Sequence, residues 1–261
     1  MTRTRSVDRV IAAMPTSDGA RVNLKRSIGS PMLDHLDPFL LLDNIESDSA
    51  SDYIAGFPEH PHRGFETVTY MVEGRMRHRD STGGEGLLES GSAQWMTAGR
   101  GVIHSEMPEQ EDGRLHGFQL WVNLPTARKM IPPRYQDIAP EDIPEVALPG
   151  GGRLRVVAGS AHGVTGPISG IDSEPLFLDL SLGDGEATTL AVPEGHNAFA
   201  YVFAGTATIA ETAIPADNLA VLGDGDSVDI AGPGRLLLVA GQPIGEPVAR
   251  HGPFVMNTRD E

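Results

Sequence analysis

The 261-residue chain contains no cysteine, which excludes disulfides, thiolate nucleophiles, zinc ribbons and cysteine-held iron–sulfur clusters together. Any metal must therefore sit on nitrogen and oxygen. Basic side chains are also scarce: 20 Lys and Arg stand against 36 Asp and Glu, for a net charge of −16. The shortage is greatest in residues 131–261, with 6 basic and 18 acidic side chains, against 14 and 18 in residues 1–130. A protein that neutralises phosphates needs the opposite sign, so no direct nucleic-acid partner is expected. Long apolar runs are missing as well. Val10–Met14 is too brief for a signal-peptide core and nothing reaches membrane-spanning length, so a cytoplasmic protein with no membrane partner is expected.

Glycine (31) and proline (20) are plentiful and scattered as punctuation. Between them lie short β-branched and aromatic runs, at 66–72, 117–124, 154–158, 176–182, 199–209 and 236–240. Strands at this spacing point to an all-β sandwich or barrel. One short helix is expected over Pro125–Ile131, with its proline at the start. The halves resemble each other: Tyr70-Met71-Val72-Glu73-Gly74 matches Tyr201-Val202-Phe203-Ala204-Gly205 at an offset of 131, and Ala98-Gly99-Arg100-Gly101 matches Ala231-Gly232-Pro233-Gly234 at 133. A duplicated β-barrel follows, with lobes over 1–135 and 153–261, a proline-rich connector over 136–152, and a C-terminal tail that can return to the first lobe.

The first lobe contains His60-Pro61-His62 and, about forty residues later, His104-Ser105-Glu106. Residues two apart on a strand share a side, so two such pairs facing each other make a site of three nitrogens and one oxygen. Alone, His60-Pro61-His62 is equally well explained by a rigid turn; the second pair on a separate strand is what favours a metal. Imidazole and carboxylate suit Fe(II), Mn, Co, Ni, Zn or Cu(II). Carried to the second lobe at the two offsets, His60, His62 and Glu66 fall on Ala191, Pro193 and Asn197, and His104 and Glu106 on Leu237 and Val239. One metal per chain is therefore expected, in the first lobe.

The arrangement His60-x-His62-x3-Glu66 with a later histidine resembles the two motifs of the cupin superfamily. The words Leu33-Asp34-His35-Leu36-Asp37-Pro38-Phe39, His60-Pro61-His62-Arg63-Gly64-Phe65-Glu66, Gln94-Trp95-Met96-Thr97-Ala98-Gly99-Arg100-Gly101, Leu120-Trp121-Val122-Asn123-Leu124-Pro125 and His251-Gly252-Pro253-Phe254-Val255-Met256-Asn257 narrow the resemblance to the pirin family. It implies a bicupin, two tandem cupin barrels, with one metal, usually iron, on His60, His62, His104 and Glu106. The common cupin pattern would place Glu66 on the metal instead. By strand parity with His60 and His62, Glu66 is expected to orient an imidazole or hold a proton.

The resemblance further implies a quercetin 2,3-dioxygenase-like activity, opening a flavonol or related aromatic enol with O2. A carboxylate must then take the hydroxyl proton; Glu106 is the candidate base, and because a metal-bound carboxylate is a poor base, it must leave the ion or Glu66 must act in its place. The alternative is an iron-dependent, redox-sensing regulatory protein that modulates a transcription factor or metabolic enzyme. Trp95, Met96, Phe118 and Trp121 suit either a flat aromatic pocket or the core. His116 is expected in the core, His35 and His251 at loop anchors, and His78 solvated on a polar hairpin among Arg75, Arg77 and Arg79.

Overall fold

The short runs between glycine turns become antiparallel strands throughout the computed structural model, which describes residues 3–149 and 151–261. The chain is all-β, as its strand spacing implies. Met1, Thr2 and Gly150, in the expected first lobe and connector, lie outside the described residues. The expected helix over Pro125–Ile131 is a single 3-10 turn, Thr126–Arg128. A segment this short cannot repay helix nucleation, and its amides bond three residues back, Arg128 to the Pro125 carbonyl (2.8 Å) and Ile131 to the Arg128 carbonyl (3.2 Å), as successive tight turns.

The described chain divides into two units, one of residues 14–140 with 244–261 and the other of residues 141–243 with the segment up to Ala13. The first unit has a seven-stranded sheet in the spatial order Arg134–Ile138, Ala93–Thr97, Phe65–Glu73, Leu115–Asn123, Phe39–Ser47, Val22–Arg26, Met14–Asp18. Its second sheet has four strands, Phe57–His62, Val102–Pro108, Met76–Asp80 and Glu85–Leu88. The other unit repeats this order: Val7–Ala12, Asn218–Leu222, Asn197–Ile209, Gly234–Gly241, Leu176–Leu182, Arg153–Ala158, Glu145–Ala147, with Ala187–Ala191 paired to Ser227–Ala231.

The repeated order corrects one of the sequence offsets. Phe65–Glu73 and Asn197–Ile209 occupy equivalent places, consistent with the 131 offset. The strand of His104, however, corresponds to Ser227–Ala231, whereas Leu237 lies in Gly234–Gly241, the equivalent of Leu115–Asn123. The glycine words at offset 133 join different strands, so their likeness is one of turn chemistry. The N-terminal segment also differs from the expected first lobe of 1–135. Val7–Ala12 pairs with Asn218–Leu222, and buried Arg5 donates to the carbonyls of Gly223 (3.0 Å) and Pro193 (2.9 Å). An edge strand left bare is an open ladder, and this segment covers it.

The C-terminal tail belongs to the first unit. Val255 packs on Leu40 and Phe65, and its amide donates to the Arg63 carbonyl at 3.0 Å. Gly64, between the strands of His62 and Phe65, has φ +85°, and a β-carbon there would run into the Val255 carbonyl, so only glycine fits the turn. Buried Lys129 locks the assembly, donating from Nζ to the Gly64 carbonyl (2.8 Å), Asn123 Oδ1 (2.7 Å) and the Val255 carbonyl (3.2 Å). Replacing Lys129 with methionine keeps the stem and strands three buried acceptors. The expected loss is about 2–4 kcal/mol of stability, measured by urea denaturation; a loss below about 0.5 kcal/mol, the range of neutral surface changes, would show that the clamp does not hold the tail.

Candidate metal centre

Antiparallel register decides the geometry. His60 lies directly opposite His104, and Val102 opposite His62, so the three imidazoles converge from two adjacent strands on one face. His60 Nε2 lies 3.0 Å from His62 Nε2 and 2.9 Å from His104 Nε2, and ligand atoms of the three residues all fall within 4.8 Å of one another. Among the described residues this is the group of His, Asp and Glu side chains close enough to hold a metal.

The donors fit a first-row divalent ion. Two nitrogens about 2.1 Å from one ion, at right angles to each other, stand about 3.0 Å apart, which is the observed separation. His60 Nδ1 lies 2.8 Å from the Pro58 carbonyl; a carbonyl only accepts, so the ring proton sits on Nδ1 and the Nε2 lone pair faces the cluster. Burial, with the neighbouring His104 and His60, pulls His62 down to about 2. Burial, with His60 and His78, does the same to His104. Both rings therefore stay neutral and keep lone pairs to offer.

Glu106 shares the strand of His104, but a bulge lies between them relative to the Phe57–His62 strand. Its carboxylate stands outside the nitrogen cluster, with Oε1 accepting from Thr69 Oγ1 and Oε2 from Gln119 Nε2, both at 2.8 Å. Glu66 is placed elsewhere. The Arg63-Gly64 turn resets the alternation after His62, so Phe65 faces the His62 ring at 5.1 Å and Thr69 faces Glu106. Glu66 points to the other side of its strand, where it is buried and accepts from Thr97 Oγ1 at 2.6 Å. The parity argument linking Glu66 to His60 and His62 fails at that turn.

Beside the cluster lies a cavity of about 510 Å³, lined by Leu41, Asp43 and Ile45 from one strand and Gln119 and Trp121 from the next, with His60, His62 and Glu106. Trp121 meets His62 edge-on at 5.2 Å and carries Arg250 of the tail 4.7 Å over its ring. Trp95, Met96 and Phe118 are buried in the core and only Trp121 of the four lines this cavity. His116 is buried beside Phe118, while His35 and His251 are exposed.

His78 departs most from expectation. Alternation along Met76–Asp80 turns Arg77 and Arg79 outward, to Glu85 and Glu109, and His78 inward, where it is buried against His104 and Tyr135. The signal was legible in Met76-Arg77-His78-Arg79-Asp80, because His78 shares parity with apolar Met76. The Asp80 side chain is equally buried.

A family profile described as pirin matches residues 21–122, and one described as pirin C-terminal cupin domain matches residues 177–261. The chain belongs to the pirin family. It is 49% identical to a pirin-like protein of Caulobacter vibrioides, over 98% of this chain and 94% of the relative, and 41% identical to human pirin, over 100% and 91%. Among solved structures it resembles a quercetin 2,3-dioxygenase from Acinetobacter baumannii, with a TM-score of 0.91 and 34% identity over 99% of this chain and 94% of that one.

For this pirin the histidine geometry sets a pH limit. The folded values of His62 and His104 lie below the ordinary 6.5, so the unfolded chain takes up protons first. Metal-free stability is then full above about 6.5 and falls as pH drops, by about 1.4 kcal/mol per pH unit for each ring. In the folded protein both nitrogens stay free of protons well below pH 6.5, so metal held on them should leave only as the chain unfolds. Metal content after gel filtration and circular dichroism, both followed from pH 7.5 to 4.5, check this, and loss of the metal at pH 6.0 from protein that remains folded would exclude a centre built on these buried imidazoles.

Proposed function

We propose that this pirin is a mononuclear metal-dependent dioxygenase that opens a flavonol or related aromatic enol with O2, holding Fe(II) on His60, His62 and His104, with Glu106 as the fourth ligand of the resting protein. The observation that carries the reading is the cavity itself. A redox sensor needs room only for water at its metal, whereas this cluster opens onto about 510 Å³ of space, within the range that encloses a small-molecule ligand. The wall has the right chemistry for a flat, weakly acidic molecule: the Trp121 indole and the side chains of Leu41, Ile45 and Phe57 on the apolar side, and Glu106 beside the nitrogens.

The ion would supply Lewis acidity for the enol oxygen and redox chemistry for O2. The chain's own part is proton handling and positioning. Held beside the nitrogens by Thr69 and Gln119, Glu106 would accept the proton of the substrate hydroxyl. Each of its oxygens accepts one hydrogen bond there, which leaves a lone pair for that proton. Trp121 and the apolar wall orient the ring system. Glu66, turned toward Thr97, has no part in this step.

The test is oxygen consumption with quercetin by anaerobically purified, Fe(II)-loaded protein. Turnover is expected for the wild type and none for the His62→Ala, His104→Ala double variant. Glu106→Gln should retain the ion and lose about 100-fold or more of the rate. Absence of turnover in wild-type protein carrying one iron per chain would overturn the enzymatic reading and direct attention to protein partners.

A further inference from the structure

Behind His104, away from the cavity, lie two buried polar residues to which the function gives no role. His78 Nδ1 stands 3.3 Å from His104 Nδ1, and His78 Nε2 faces Asp80 Oδ2 at 3.7 Å. All three residues project from neighbouring strands, His104 opposite Asp80 and Glu106 opposite His78 in the ladder. The ring of Tyr135 lies 4.8 Å from that of His78 and closes the group from the remaining side. His78 Nε2 and Asp80 Oδ2 are both buried, and the Tyr135 hydroxyl also faces the Asp80 carboxylate, while Asp80 Oδ1 is occupied by the Thr82 amide (2.6 Å), the Thr82 hydroxyl (2.6 Å) and the Gly84 amide (3.0 Å).

A neutral imidazole has one N–H and one lone pair, so the positions of the protons along this row are not independent. If His78 carried its proton on Nδ1, its Nε2 lone pair would face the lone pairs of a buried carboxylate. The same proton would occupy the space between the two rings and drive the His104 proton onto Nε2, where it blocks a ligand. With the proton of His78 on Nε2, each contact is complementary. Asp80 attracts that N–H, Nδ1 of His78 accepts from Nδ1–H of His104, and the Nε2 lone pair of His104 faces the Nε2 lone pair of His60 at 2.9 Å. Two lone pairs held this close repel, and a cation between them relieves the repulsion. The burial of Asp80 works against its charge, but the hydrogen bonds from Thr82, Gly84 and Tyr135 outweigh it and hold the carboxyl down to about 2, so the anion is present at any working pH.

We propose that Asp80 and His78 form a buried relay that fixes the tautomer of His104 and thereby preorganises the metal site. The relay rests on the metal reading above. His60 reaches the same end through the Pro58 carbonyl; His104 has no carbonyl and uses a second imidazole, oriented by a carboxylate. Both are positioning residues: neither reaches the cavity.

The test uses full-length protein, with zinc or cobalt(II) titrated against a competing chelator and two-bond nitrogen–proton spectra of the metal-free histidines. Wild type should show His104 with its proton on Nδ1. His78→Leu should lose that bias and bind metal 10–100-fold more weakly. His78→Asn places an amide oxygen near the former Nδ1, accepts the same proton, and should bind within about 3-fold of wild type. Asp80→Asn keeps Oδ1 for its turn but can present an amide N–H to His78, and should weaken binding like His78→Leu while folding normally by circular dichroism. If wild type binds metal tightly and His78→Leu binds it equally well, or if His104 shows no tautomer bias, the relay is wrong. If wild type itself takes up no metal, it is the metal centre that fails.

Discussion

The pairing of His60 opposite His104 across two antiparallel strands is the constraint from which the rest of the first unit follows. Directly opposed positions bring Cβ atoms to about 5 Å, close enough for two imidazoles to share one ion and too close for two charged rings to coexist there. Alternation adds His62 from the same strand. A one-residue slip would turn all three rings to the other face and destroy the site, so the register must be held firmly. The neighbouring strand Met76–Asp80 does this from one side, and the Gly64 turn with the tail across it does so from the other.

The second unit shows that the architecture does not require a metal. In the same place in its strand order, Leu190 stands opposite Val228, and both are buried in a continuous aliphatic core with Leu236, Leu238 and Ile230. An equivalent strand pair therefore carries either a hydrophobic cluster or a polar one. The apolar version gains from burial. The polar version buries imidazoles at a cost that a cation or an exact set of hydrogen bonds must offset. That the first unit keeps three histidines where the second keeps apolar side chains is the strongest physical argument for a resident ion.

Much of this was legible in the chain, because strand alternation is a local property. His60, His62 and His104 declare themselves by spacing alone, and the absence of cysteine restricts the donor set. What was not legible lay at interruptions of the alternation. Glu66 keeps its parity with His62 in sequence, yet the left-handed Gly64 between them resets the faces. Glu106 keeps its parity with His104, yet a bulge in the pairing with the opposite strand accompanies its displacement from the nitrogen cluster. His78 fails differently: three arginines around it suggest solvent, although strand geometry puts i and i+1 on opposite sides. The likeness of the glycine words at offset 133 misled for a related reason, since tight turns draw on few residue types wherever they occur.

The tail ties fold to chemistry in a way that strand order alone would not suggest. Residues His60 to Glu106 supply the histidines and the carboxylate, but the cavity beside them is walled in part by Arg250, Gly252 and Pro253, which arrive at the end of the chain. The contact is mutual: the Val255 amide bonds to the Arg63 carbonyl, one residue beyond His62, and Lys129 bonds to carbonyls on both segments. Holding His62 in place and closing the cavity are thus one act of packing. Arg250, lying over the Trp121 ring, further narrows the space in which a flat ring can lie. Rigidity at the ligands comes from the strands, and the shape of the space they face comes from the tail, so substitutions in the tail should alter ligand fit more readily than metal affinity unless they reach the Arg63–Gly64 contact.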